Sequence, residues 1–186
     1  QRNKQMHQTL ANLITMSNTA GKDKTLVQGG GGNTSAKTPD GKYMYIKASG
    51  TALKEMNAKK GWRRLKLDTV LDVIKDKSLA KLDENARETE VVNRLILSCD
   101  DNVENKTARP SVESHLHAIL DTYVIHLHPE AVGAFVNAKN GQAVLNKLFK
   151  GDKLPPLWVP CADPGFMLAK KMALMVANYK ATYGAQ

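Results

Sequence analysis

Aromatic side chains make up only 5% of the 186 residues, and cysteine is limited to Cys99 and Cys161. Two thiols so far apart in sequence build neither a disulfide framework nor a cysteine-rich zinc site, and free thiols suit a reducing, cytoplasmic setting. No apolar run approaches the roughly 20 residues that span a membrane. The opening Gln1, Arg2, Asn3 and Lys4 lack the hydrophobic stretch of a signal peptide. With few aromatics and scattered basic residues, the chain carries no recognition-helix, zinc-finger or RNA-binding signature. Nucleic acid and membrane are therefore not the expected partners.

A formal charge of +9 is present instead. It favours an anionic partner, and a small phosphorylated substrate satisfies that bias. The length fits one domain over residues 1–186, able to bury a core without disulfides or metal.

Apolar spacing at Met6, Leu10, Leu13 and Ile14 predicts an opening helix from about Lys4 to Met16. Leu26 to Gln28 reads as a short strand running into Gly29-Gly30-Gly31-Gly32-Asn33-Thr34-Ser35. Lys42 to Ala48 alternates as a strand behind an Asp40-Gly41 turn. Trp62 to Leu67 predicts a further strand, followed by a helix through Val70, Leu71 and Ile74 and a polar loop from Lys75 to Lys81. Arg87 to Cys99 reads as a helix burying Val91, Leu95 and Ile96. Beyond a turn from Lys106 to Pro110, a helix starts near Ser111, and Tyr123 to His128 forms a compact strand. Helices follow at Glu130–Asn137, Ala143–Phe149 and Pro164–Tyr179, with a strand at Leu157–Pro160 between the last two. Strands mixed with helices throughout argue an α/β domain with helices packed around a central sheet.

The sharpest chemical feature is Val124-Ile125-His126-Leu127-His128-Pro129. Residues two apart on a strand share a face, so His126 and His128 project together. Paired imidazoles are half of a tetrahedral zinc site; a merely polar strand face is the other reading. Upstream lies Arg109-Pro110-Ser111-Val112-Glu113-Ser114-His115-Leu116-His117. There Ser111 reads as an N-cap and Glu113 falls in the first helical turn. Glu113 either interacts with the helix dipole or acts as a general acid/base beside a metal. The Ser111 hydroxyl and helix-start amides suit a phosphate. His117 lies one turn beyond Glu113 on the same face, where packing is the commoner role.

The Gly29–Gly32 run lacks both the P-loop ending and the dinucleotide fingerprint. It is either a flexible turn or a loop whose amides, with Asn33, approach an anion closely. Ser49-Gly50 offers similar chemistry at another strand end. Lys47 and Lys54 read as solvated surface lysines, and Cys161 has no base beside it to make it a nucleophile.

In this order and spacing, Gly32-Asn33-Thr34-Ser35, Lys47-Ala48-Ser49-Gly50-Thr51, Arg109-Pro110-Ser111-Val112-Glu113, His126-Leu127-His128-Pro129 and Pro160-Cys161-Ala162-Asp163-Pro164-Gly165 resemble the class II aldolase/adducin family. The resemblance runs from about Leu10 to Tyr179. It implies a central mixed, largely antiparallel sheet flanked by helices in three layers, assembled as a homotetramer with sites at subunit contacts. It also implies zinc as cofactor, held by histidines of which His126 and His128 are two, and Glu113 as the catalytic acid/base. Gly32, Asn33, Ser49, Gly50 and Ser111 correspond to the substrate-phosphate pocket. The implied reaction is reversible cleavage of a ketose phosphate to dihydroxyacetone phosphate and an aldehyde. Members of the family also epimerise, dehydrate or decarboxylate related substrates, and adducin-like members serve as binding modules without catalysis.

Two positions depart from the family pattern. Val112 stands where the sugar-phosphate aldolases commonly carry a second phosphate-binding serine. The family's third histidine, which follows the Pro-Gly helix, has no match before Gln186, and His7, His115 and His117 are not convincing replacements. The expectation is a chain lacking its C-terminal strands. The Ser-Val-Glu variant and the insert from Val70 to Asp100 resemble members fused to a short-chain dehydrogenase domain.

Overall fold

The structure, a computed structural model, describes residues 2–101, 108–162 and 164–184, with the side chains of residues 2–6 left aside. Lys106 of the expected turn, Asp163 of the Pro160–Gly165 motif and the side chain of Met6 lie outside the described residues.

The first helix, α1, runs Arg2–Lys22. It buries Thr9, Leu13, Ser17 and Ala20, at the three-to-four-residue spacing of a helix with one covered face. Its last turn closes tightly on the 3-10 turn Leu53–Glu55. A β-carbon on Gly21 would meet the Lys54 nitrogen at 2.5 Å, so only glycine allows that approach.

Four strands follow: β1 Asn33–Lys37, β2 Tyr43–Lys47, β3 Trp62–Lys66 and β4 Tyr123–His126. They form one sheet in the order β3-β2-β1-β4, with each neighbouring pair antiparallel. This is the antiparallel sheet flanked by helices that the sequence implied. The turn at Asp40-Gly41 joins β1 to β2, with the Asp40 carboxylate accepting from the Lys42 amide at 3.1 Å.

Each face of the sheet has its own core. On one, Leu13 packs with Ala36, Tyr45 and Met56. On the other, Met44, Ile46 and Leu65 meet Leu67, Val70, Leu95 and Ala118. These last residues belong to α2 (Leu67–Lys75), α3 (Glu84–Leu97) and α4 (Ser114–Ala118). The chain continues through α5 (Glu130–Val136) and α6 (Gly141–Leu148) to α7 (Phe166–Tyr183). Phe166, fully buried, packs with Val73, Leu79 and Val91 and so ties α7 to α2 and α3. No described helix is long and apolar enough to cross a membrane.

Several local expectations are corrected. Leu26–Gln28 is not a strand: the amides of Leu26 and Val27 both turn back to the Asp23 carbonyl, and the Asp23 carboxylate takes the Thr25 amide at 2.8 Å. Asp two residues before a hydrogen-bonded Thr is a turn former. The strand lies after the glycines, as β1. Leu157–Pro160 is irregular, because Pro155, Pro156 and Pro160 supply no amide donors for a ladder. Ile96 is 42% exposed rather than buried. Helix α4 begins at Ser114, so Ser111 is not its N-cap. Instead the Ser111 hydroxyl takes the Glu113 amide at 3.2 Å, and Glu113 itself stands at the cap position.

Candidate metal and substrate site

The centre of the site is built where β1, β4 and α4 meet. The alternation of β1 sends Thr34 and Ala36 towards α1, where the Thr34 hydroxyl meets that of Ser17 at 2.7 Å. Asn33, Ser35 and Lys37 take the opposite face. Register with β4 sets Asn33 opposite His126, so both reach the same region.

There Glu113 is the hub. His126 Nδ1 lies 3.0 Å from Glu113 Oε2, and Asn33 Nδ2 donates to the same oxygen at 2.8 Å. Asn33 Nδ2 also donates to Ser111 Oγ at 2.6 Å. His117, one helical turn beyond Glu113, is fully buried, and its Nδ1 lies 2.8 Å from Ser35 Oγ.

The electrostatics follow from this packing. Burial pushes the Glu113 carboxyl up, but hydrogen bonds from His126 and Asn33 and the charges of His126 and His117 outweigh it and hold it down at about 2. The hydrogen bond to Glu113 raises His126 against the effect of burial. Burial pushes His117 down to about 4, with Glu113 opposing, and pushes His115 down to about 4 as well. Glu113 is therefore an anion at neutral pH, and His117 is a neutral imidazole.

Such a set suits a divalent ion. Donor atoms of Glu113, His117 and His126 lie within 4.8 Å of one another, and the buried His117 Nε2 has no hydrogen-bond partner. Imidazole nitrogen and carboxylate oxygen are the donor types that zinc takes. His128 stands next to His126, ring against ring, with centroids 4.8 Å apart and planes at 27°. The two histidines thus share a face as their spacing requires, with His128 exposed to solvent.

The residues expected to hold phosphate converge beside this cluster. The backbone at residues 47–49 pairs with 109–111: the Ser49 amide donates to the Arg109 carbonyl at 2.8 Å, and the Ser111 amide to the Lys47 carbonyl at 3.2 Å. Ser49 thus lies diagonally across from Ser111, its hydroxyl donating to the Pro110 carbonyl at 3.5 Å, with exposed Gly50 following at φ 80°. Gly32 precedes Asn33 at φ 74°, and a β-carbon there would meet the His126 carbonyl oxygen at 3.1 Å. That close approach requires glycine.

Lys47 corrects a sequence expectation. It is 7% exposed, not a solvated surface lysine, and its ammonium donates to the Gly30 carbonyl at 3.3 Å. Burial pushes its amine down while Glu113 pulls it up.

His117 was placed on the Glu113 face by its spacing but read as packing, and Ser35 and Lys47 were given no role in the site, although Ser35 stands two residues from Asn33 on the same strand face. A cavity of about 550 Å³ lies elsewhere, between α5, α6 and the proline-rich segment at 155–161. Its walls include Val136, Leu145, Phe149 and Trp158, and none of the residues of the Glu113 site line it.

Comparison with known proteins gives three findings. The family described as Class II Aldolase and Adducin N-terminal domain matches residues 11–180. A Bacillus subtilis (strain 168) protein described as Uncharacterized oxidoreductase YuxG is 34% identical over 182 residues, covering 94% of this chain and 24% of that protein. The chain thus spans about a quarter of that relative's length. The N-terminal class II aldolase domain of a conserved protein from Thermoplasma acidophilum superposes with a TM-score of 0.67 at 30% identity, over 87% of this chain and 72% of that one.

Proposed function

The chain belongs to the class II aldolase and adducin N-terminal domain family, and from that premise we propose that it is a zinc-dependent aldolase domain cleaving a ketose phosphate to dihydroxyacetone phosphate and an aldehyde. The observation that carries this reading is the Glu113 carboxylate, gripped by His126 and Asn33 at 3.0 and 2.8 Å beside buried His117. A family member serving only as a binding module has no use for a half-buried anion held between imidazoles.

His126 and His128 hold the ion, with His117 as a further nitrogen donor in reach. Bound there, zinc supplies Lewis acidity towards a carbonyl oxygen. The chain's own residues do the rest. Glu113 is already ionised, so in the condensation direction it removes the proton from the carbon beside the carbonyl, and in cleavage the same carboxyl gives it back. Asn33 orients that carboxylate. Ser49, Ser111 and the Gly50 amide hold the phosphate, with Gly32 letting the loop approach, and the buried Lys47 ammonium adds positive charge nearby.

By the same family resemblance the domain assembles with copies of itself, as a tetramer. The oxidoreductase description of the Bacillus subtilis relative applies to a protein four times as long, and the Gly29–Gly32 run here lacks a dinucleotide fingerprint.

The test is a cleavage assay on a panel of ketose 1-phosphates in the presence of zinc, following release of dihydroxyacetone phosphate. Wild type releases it from at least one member, and Glu113→Gln slows release by about 100-fold or more. Equal rates in wild type and Glu113→Gln contradict the assignment. If decarboxylation, dehydration or epimerisation is the only activity, the same site is at work in a different member of the family.

A further inference from the structure

We infer that Lys37 is a positioning residue for the candidate site, acting as the C-terminal cap of the short helix that carries Glu113 and His117. The inference rests on the reading of that cluster as the metal site.

Helix α4 is only five residues long, too short to hold itself together in water. A helix end also leaves its last carbonyls without partners. Here the Lys37 ammonium, reaching over from β1, donates to the carbonyls of His117 at 2.8 Å, Leu120 at 2.8 Å and Asp121 at 2.7 Å. Three donors meet three acceptors, one in the last turn of α4 and two in the turn that follows its C-cap, Ile119. A cation at a helix C-terminus is favoured by the macrodipole as well.

Lys37 does not act alone. Along the same face of β1, Asn33 grips the start of the segment through Ser111 and Glu113, and Ser35 holds the His117 ring in the middle. The three sit at i, i+2 and i+4 of one central strand, and they fasten the stretch from Ser111 to Asp121 at its start, middle and end. Glu113 opens α4, and the His117 carbonyl that Lys37 takes belongs to the residue whose ring lies in the cluster. Fixing the end of α4 therefore fixes the backbone from which both donor groups project. Positioning of ligands by such outer contacts is worth about 10–100-fold in metal affinity.

The experiment compares wild type with Lys37→Met, which keeps the length and loses all three donors, and with Lys37→Arg, which keeps a cation that donates. A control, Val91→Ala, weakens the core beside Phe166 without touching α4. Each chain is read by nitrogen-15 NMR of the His117 ring without metal and by zinc affinity against a chromophoric chelator. The expected result is a doubled or broadened His117 signal and a 10–100-fold loss of zinc affinity in Lys37→Met, both restored in Lys37→Arg and neither seen in Val91→Ala. A folded Lys37→Met with the wild-type His117 signal overturns the inference. Should Lys37→Met not fold, Lys37→Leu takes its place under the same criterion. Absence of zinc binding in wild type would count against the metal reading alone, because the His117 signal tests the cap without metal.

Discussion

Glu113 Oε2 and His126 Nδ1 are hydrogen-bond partners at 3.0 Å, each half-buried. The pairing commits one ring nitrogen of His126 to the carboxylate and leaves the other, Nε2, as the atom it can offer an ion. A carboxylate behind a ligating histidine fixes its orientation and tautomer. Glu113→Gln keeps the shape and an amide oxygen, so it retains zinc affinity within a few-fold while losing catalysis. Glu113→Ala removes the support and loses about 10–100-fold in affinity. Competition with a chromophoric chelator measures both. Equal and severe loss in the two variants would make Glu113 a direct ligand instead.

Asn33 is 2% exposed and donates to both Ser111 and Glu113. Truncation to alanine leaves a part-buried carboxylate short of a donor, at a cost of about 1–3 kcal/mol. Urea unfolding of Asn33→Ala at neutral pH checks this, and a midpoint equal to wild type would show that water replaces the amide without loss. Activity falls in the same variant, because the base loses its orientation.

Asp76 links the end of α2 to α3. Hydrogen bonds from Ser78 and from Arg94, the latter at 2.8 Å, hold its carboxyl down at about 2 from an ordinary 3.8. A depressed carboxyl contributes stability that is present above its unfolded pKa and is lost as pH falls through its folded pKa. The acid limb of the unfolding midpoint, followed between about pH 5 and pH 2, is therefore shallower in Asp76→Asn than in wild type. Superimposable acid limbs would remove Asp76 from the account.

The two thiols differ in reactivity. Burial pushes Cys99 up to about 11, and its sulfur donates to the Leu95 carbonyl at 3.5 Å, whereas Cys161 is exposed. Thiolate is the reactive form, so iodoacetamide at neutral pH labels Cys161 and spares Cys99 until denaturant is added. Peptide mass mapping reads the outcome, and early labelling of Cys99 would show that α3 opens readily.

Much of this was written in short-range signals. The two-residue spacing of His126 and His128 set both rings on one face, while Glu113 reaches the cluster from the turn that caps α4 and not from a helix begun at Ser111. Two of the segments read wrongly have a conformation decided by distant partners. Asn33-Thr34-Ser35 looks like loop by composition, yet it is a central strand because Ser17, Ser111, Glu113 and His117 satisfy its polar groups. Lys47 looks like surface, yet the glycine run folds over it and takes its ammonium. No local pattern shows either, since the partners lie far along the chain. Leu157–Pro160 failed for the opposite reason: its apolar residues suggested a strand, while the prolines around them forbade a ladder.

The central claim is a metal centre built on the histidine pair beside Glu113. Its most direct test is the metal content of the purified chain after zinc loading and desalting, with a His126→Ala, His128→Ala double variant alongside. The account predicts near-stoichiometric zinc in wild type and little in the double variant at unchanged circular dichroism. Wild type without zinc, or a double variant that keeps it, would contradict the account.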